Sequence, residues 1–171
     1  MRTPAFLLGL LYLCFFGSLP YASAHLPAQV ATHFNASGQP NGWMNRDSHL
    51  WHIMEFGIIF PWLVPAIFYF SRFLPDRLYH ISNHDYWFAP TRRSETLAYL
   101  FRHSLWFASL ALGFVIGIHI STIHANLGQA QLSPPLVFTL AGGFLAGIIF
   151  WAASVIRYFK RVPRQVVKTT G

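Results

Sequence analysis

The sequence predicts an all-α integral membrane protein with four transmembrane helices, and three observations carry that expectation. Of 171 residues, 54% are hydrophobic and only 10% charged, against about 25% charged in an ordinary soluble domain. From His103 to Ile156 there is no Asp, Glu, Lys or Arg. That length holds two crossings, since a hydrocarbon core about 30 Å thick takes about 20 apolar residues per helix. The apolar runs also lack period-2 alternation, so in lipid their backbone groups are satisfied as helices and not as barrel strands.

In chain order the apolar segments fall at 5–21, 50–70, 104–125 and 136–156. Two readings of the first stand side by side. Arg2, the stretch from Phe6 to Leu19 and Ala22-Ser23-Ala24 before His25 also compose a cleavable signal peptide. Cleavage would leave three helices, and the new amine of His25, its ring and His33 would then suit copper. The four-helix reading keeps the segment. Cys14 lies in this run and is the single cysteine, which excludes an intramolecular disulfide or a multi-cysteine metal site.

The second segment contains Pro61 and Pro65. Each removes a helical hydrogen bond and frees a carbonyl one turn back, at Gly57 and Pro61, so a bend near mid-membrane is expected. The third and fourth segments carry small residues at four-residue spacing: Ser109, Gly113, Gly117 and Thr139, Gly143, Gly147. Such faces let backbones approach closely, either between the two segments across the 126–135 turn or between two copies in a homodimer. Thr91 is the expected N-cap of the third helix, followed by Arg92, Arg93 and Glu95, so that helix begins before it enters lipid.

Positive charge sets the orientation, because cytoplasmic loops are rich in Lys and Arg. Arg2 precedes the first segment, five arginines (Arg72, Arg77, Arg92, Arg93, Arg102) lie between the second and third, and Arg157, Lys160, Arg161, Arg164 and Lys168 follow the fourth; only Arg46 falls on the other side. Both termini, the 71–103 loop and the 157–171 tail are therefore expected in the cytoplasm, and the 25–49 loop outside. The formal charge is +7, yet the basic residues flank apolar runs and line no soluble face. The expected partner is the lipid bilayer and not nucleic acid.

Glu55 is the only acidic residue inside an apolar segment, and an intramembrane carboxylate is a functional-site hypothesis by default. His49, His52 and Glu55 recur every three residues. At 1.5 Å per residue Glu55 sits about 7–8 Å inward from Leu50, and His119 about 9 Å inward from Ala125. The matching depths lead us to expect Glu55 and His119 to pair, with His52, His124 and His33 nearby. Three readings of this constellation are open: an interhelical hydrogen-bond network, a proton or ion relay, and a divalent metal site for zinc or copper. The chain carries no His-Glu-x-x-His motif, nucleophile elbow or phosphate loop, and is not expected to be an enzyme.

Two blocks stand out between the segments. The outer loop contains Leu26-Pro27, then His33-Phe34-Asn35, then Gly38, and Gly42-Trp43; its Gly38-Gln39-Pro40-Asn41-Gly42 stretch is turn chemistry. Phe34 and Trp43 are read as interfacial anchors, and His33 and Asn35 as presented on an ordered hairpin. The cytoplasmic block, inside an irregular loop from Pro75 to Pro90, reads Asn83-His84-Asp85-Tyr86-Trp87-Phe88-Ala89-Pro90, followed by Arg92, Arg93 and Glu95. Its aromatics suit the headgroup region.

The outer block resembles a bacterial membrane domain of unknown function, number 1648, in which the same Leu-Pro, His-Phe-Asn, Gly and Gly-Trp or Gly-Tyr follow the first transmembrane helix. The cytoplasmic block is similar to one found in stand-alone members. Ala31 stands where that family usually has proline, and Asn45-Arg46 where it usually has a small residue and lysine. The domain also occurs in immunity proteins against a sporulation-delaying toxin. The resemblance implies a retained first helix and a multi-pass protein of the bacterial inner membrane. By analogy alone, it implies recognition of a peptide or envelope partner.

Overall fold

The computed structural model describes residues 2–128 and 131–162. Arg164 and Lys168 of the basic tail lie outside the described residues. The chain runs α1 (Arg2–His25), β1 (Gln29–Phe34), β2 (Pro40–Asn45), α2 (Arg46–Ser71), a 3₁₀ turn (Asp76–Leu78), α3 (His84–Trp87), α4 (Arg93–Leu127) and α5 (Pro134–Lys160). Four of these helices are long and apolar enough to cross a membrane. The fold is all-α and membrane-spanning, with one small antiparallel hairpin.

Each helix overruns its apolar segment, because the helix continues until capping or turn chemistry stops it while hydropathy marks only the lipid-soluble stretch. α2 begins at Arg46, not at residue 50: Asn45 is its N-cap, accepting from the Asp47 amide at 2.9 Å. α4 begins at Arg93, well before residue 104. Its N-cap is Arg92, with no side-chain cap bond, so Thr91 does not play the expected part. α5 starts with Pro134 and Pro135 in its first turn, where a missing N–H costs nothing. The stretch from Pro75 to Pro90 is not wholly irregular, since the 3₁₀ turn and α3 lie within it.

α4 is the central post and packs against α1, α2 and α5. Half of its apolar window is buried, against none of that of α5. The core consists of Leu8, Phe15, Leu105, Ala108, Leu112 and Val115. Lipid tails are as apolar as leucine, so these helices associate through close packing and not through escape from water. The glycines show how. A Cβ at Gly57 would collide with the Phe15 ring, and Cβ atoms at Gly117 and Gly147 would lie 2.8 and 2.7 Å from Leu140 and Leu110. Gly117 of α4 and Gly147 of α5 thus each receive a leucine of the other helix. A Cβ at Gly113 or Gly143, between them, would meet no side chain or neighbouring helix within 4 Å.

α2 remains helical through both prolines, which are buried. The carbonyl that Pro61 frees at Gly57 is taken up by α1, where the Tyr12 hydroxyl donates to it at 3.3 Å. Proline in α2 and tyrosine in α1 therefore act as one device, re-satisfying a backbone group with a neighbouring helix.

Candidate functional site

The outer block folds as a hairpin seated on the end of the bundle. Leu26, Val30 and Ile123 bury together with Ala22 beneath it. The Ala31 amide donates to Asn126 Oδ1 at 2.8 Å, and Asn126 Nδ2 donates back to the Ala31 carbonyl at 2.9 Å. One side chain of α4 thus occupies the outer edge of β1 as a neighbouring strand would. Arg46 Nη1 donates to the Leu26 carbonyl at 3.3 Å and closes the base. Pro27 is exposed at the turn out of α1.

Asn35 holds the hairpin's tip, with Oδ1 accepting from the amides of Ser37 (3.0 Å) and Gln39 (2.9 Å). Gly38 is at φ 79°, and a Cβ there would strike the carbonyl of Leu132, whose amide donates to the Gly38 carbonyl at 2.9 Å. Glycine is required there on both counts. Gly42 lies opposite His33, and a Cβ would stand 3.0 Å from the His33 Cβ. The register shifts on either side of His33, the mark of a bulge that re-aims its side chain. His33 is exposed, Trp43 is 59% exposed, and among the described residues no strand pairs on the outer side of β2.

The membrane-embedded polar residues do not assemble as expected. His119 is fully buried on α4 but faces His49, with ring centroids 6.1 Å apart, and the edge of Phe15 at 6.3 Å. Among the described residues, neither His119 nitrogen has a hydrogen-bond partner, nor does His49 Nε2. Glu55 is exposed and does not pair with His119. The reason is angular: at about 100° per residue, Glu55 lies about 120° round α2 from His49. Matching depth is not matching face. His52 is exposed, its Nδ1 2.6 Å from the Ser48 carbonyl, and His124 is exposed as well. Among the described residues no three His, Cys, Asp or Glu side chains come together as a metal site.

The block from Asn83 to Glu95 is a clasp. Asn83, in the left-handed region at φ 55°, sends Nδ2 to the carbonyls of Phe159 (2.9 Å) and Lys160 (3.3 Å) at the end of α5. Trp87 Nε1 donates to the same Phe159 carbonyl at 2.9 Å. The Thr96 hydroxyl in turn donates to the Trp87 carbonyl at 2.7 Å. These bonds satisfy carbonyls that a helix terminus leaves open. Arg93 reaches Asp76 at 2.8 Å and the Arg72 carbonyl at 3.1 Å, which fastens α4 to the end of α2. Arg92 lies 4.1 Å above the Tyr86 ring. Asp85, Pro90 and Glu95 are exposed. His84 stacks on Phe88, and its pKa is raised by its hydrogen bond with the Asp76 carbonyl and then by Asp85.

Sequence reasoning missed Asn126, Asp76, Thr96 and Phe159 as fasteners. Asn126, a lone asparagine in the last turn of an apolar helix, was the one with a readable signal. Residues 6–53, covering α1, the hairpin and the start of α2, match the family model for a domain of unknown function, DUF1648. The chain resembles that family over this stretch, and the clasp lies beyond it. No curated protein and no solved structure matches the chain.

Proposed function

We propose that the protein is a non-catalytic, multi-pass protein of a bacterial inner membrane whose outward hairpin recognises a peptide or envelope partner. The observation that supports this most is the hairpin itself: its base is pinned by Asn126 and its tip by Asn35, while Trp43 and His33 and the free edge of β2 stay unoccupied. A rigid hairpin with an exposed aromatic and an open strand edge offers both recurring means of peptide capture, an anchor and backbone pairing. The distribution of Lys and Arg supports its placement outside the cell. A strain lacking the protein is expected to differ from its parent in sensitivity to at least one membrane-active peptide. A copy carrying Trp43→Ala and His33→Ala should reach the membrane yet fail to restore the parental response. Unchanged sensitivity across a broad panel would remove the reading.

A second reading rests on His49 and His119, two buried rings with centroids 6.1 Å apart, where His49 Nε2 and both His119 nitrogens have no partner among the described residues. Two neutral imidazoles without a carboxylate suit a proton or a soft monovalent cation such as copper(I) better than zinc. Near-stoichiometric copper in protein purified without chelator, lost in His119→Leu, would establish it. Metal-free protein with unimpaired His119→Leu would sink its metal form.

A further inference from the structure

At the basic end of the bundle, between α4 and α5, lies a cleft of about 610 Å³ whose walls carry both strong charge and bare apolar surface. Arg157 and Arg161 stand one helical turn apart on this wall, both exposed, and neither forms an ion pair among the described residues. Two guanidinium groups so placed repel one another unless an anion lies between them, and their planar forks match phosphate oxygens. Tyr99 of α4 also lines the cleft and stacks on Tyr158 of α5, ring centroids 3.6 Å apart, with His103 a turn further along α4 and 3.4 Å from the Ser154 hydroxyl. Arg102 lies outside the cleft lining, 5.8 Å from the Tyr99 ring. Glu95, exposed one turn before Tyr99, is the carboxylate of this stretch of α4.

The apolar side of the cleft decides which anion fits. Phe150 lines it, is 72% exposed, and lies about two turns up α5 from Arg157, toward the span whose apolar window has no buried residue. A phosphate held at Arg157 and Arg161 would therefore have a hydrocarbon attachment running past Phe150 into the bilayer. We propose that this cleft binds an anionic phospholipid, with Arg157 and Arg161 on the headgroup phosphate and Phe150 against the first part of an acyl chain. A basic pocket between transmembrane helices on the cytoplasmic side is where such headgroups gain most, because two favourable terms, charge and burial, act on one molecule. Free phosphate shares the charge chemistry but would make no use of Phe150.

The test is native mass spectrometry of the full chain in a non-ionic detergent, titrated with phosphatidylglycerol, phosphatidylcholine or inorganic phosphate. Phosphatidylglycerol should be retained roughly tenfold or more tightly than phosphatidylcholine, given the attraction of each basic residue for anionic lipid. Arg157→Gln with Arg161→Gln should abolish that preference without lowering the melting temperature in phosphatidylcholine, and Lys160→Gln should keep it. Phe150→Ala should weaken both lipids alike, and Glu95→Gln should strengthen phosphatidylglycerol alone. Equal retention of the two lipids, or a double variant that keeps the preference, overturns the proposal. Competition by inorganic phosphate at the same concentration also overturns it, by making the ligand a free anion.

Discussion

The hairpin end and the basic end of this bundle are both fastened by an asparagine side chain bonded to distant backbone, yet they dispose of their other polar groups in opposite ways. At the basic end Asn83, Trp87 and Thr96 all turn inward onto backbone carbonyls, and Trp87 is buried. At the hairpin end Asn126 and Asn35 are spent on structure, whereas Trp43 and His33 face outward. Two blocks of similar composition thus have different work. One closes a helix bundle whose longest helix needs an anchor, and the other holds a surface ready. An aromatic residue in a motif tells little until its burial is known.

Four measurements would break or sharpen that contrast. The largest effect is expected from Trp87→Ala, which removes a buried ring and leaves the Phe159 carbonyl short of a donor. It should cost about 3–5 kcal/mol of unfolding free energy in detergent. Trp43→Ala should stay within about 0.5 kcal/mol, and equal losses would abolish the distinction between the ends. Next comes Asn126→Ala, which strands both the amide and the carbonyl of Ala31. A loss of about 1–3 kcal/mol is expected, together with faster hydrogen exchange at the Ala31 amide and no change at Trp87.

Gly38→Ala forces a side chain into the left-handed region and against the Leu132 carbonyl. About 1–3 kcal/mol is expected, and peptide sensitivity should change with it, because the tip would shift. A normal response with a displaced tip would count against the hairpin as the recognition surface. The smallest effect is a pH dependence confined to the basic end. The His84 ring has its pKa raised above the ordinary histidine value by the Asp76 carbonyl and Asp85. Its contribution is fully present below about pH 6.5, the unperturbed value, and is lost as pH rises through the raised one. Ring resonances followed by NMR should titrate late, and His84→Gln should remove the dependence. An early-titrating ring would contradict the hydrogen bond.

The sequence by itself determined the class of the helices and where the apolar runs lie, because hydropathy and the need to satisfy backbone groups in lipid are properties of each segment alone. It also exposed the turn at Gly38 and the carbonyl freed by Pro61, since both follow from the local covalent geometry of glycine and proline. The tertiary structure alone decided which faces meet. Glu55 and His119 lie at matching depths, but only the rotation of α2 within the bundle, with Gly57 against Phe15 of α1, turns His49 inward and Glu55 out. Only the folded bundle could likewise show that Tyr12 serves Gly57, that Asn126 stands in for a strand, and that Asn83 closes α5. Depth in a membrane is linear along the chain and can be counted. The rotation of one helix against another depends on side-chain contacts between distant residues, and no single segment contains it.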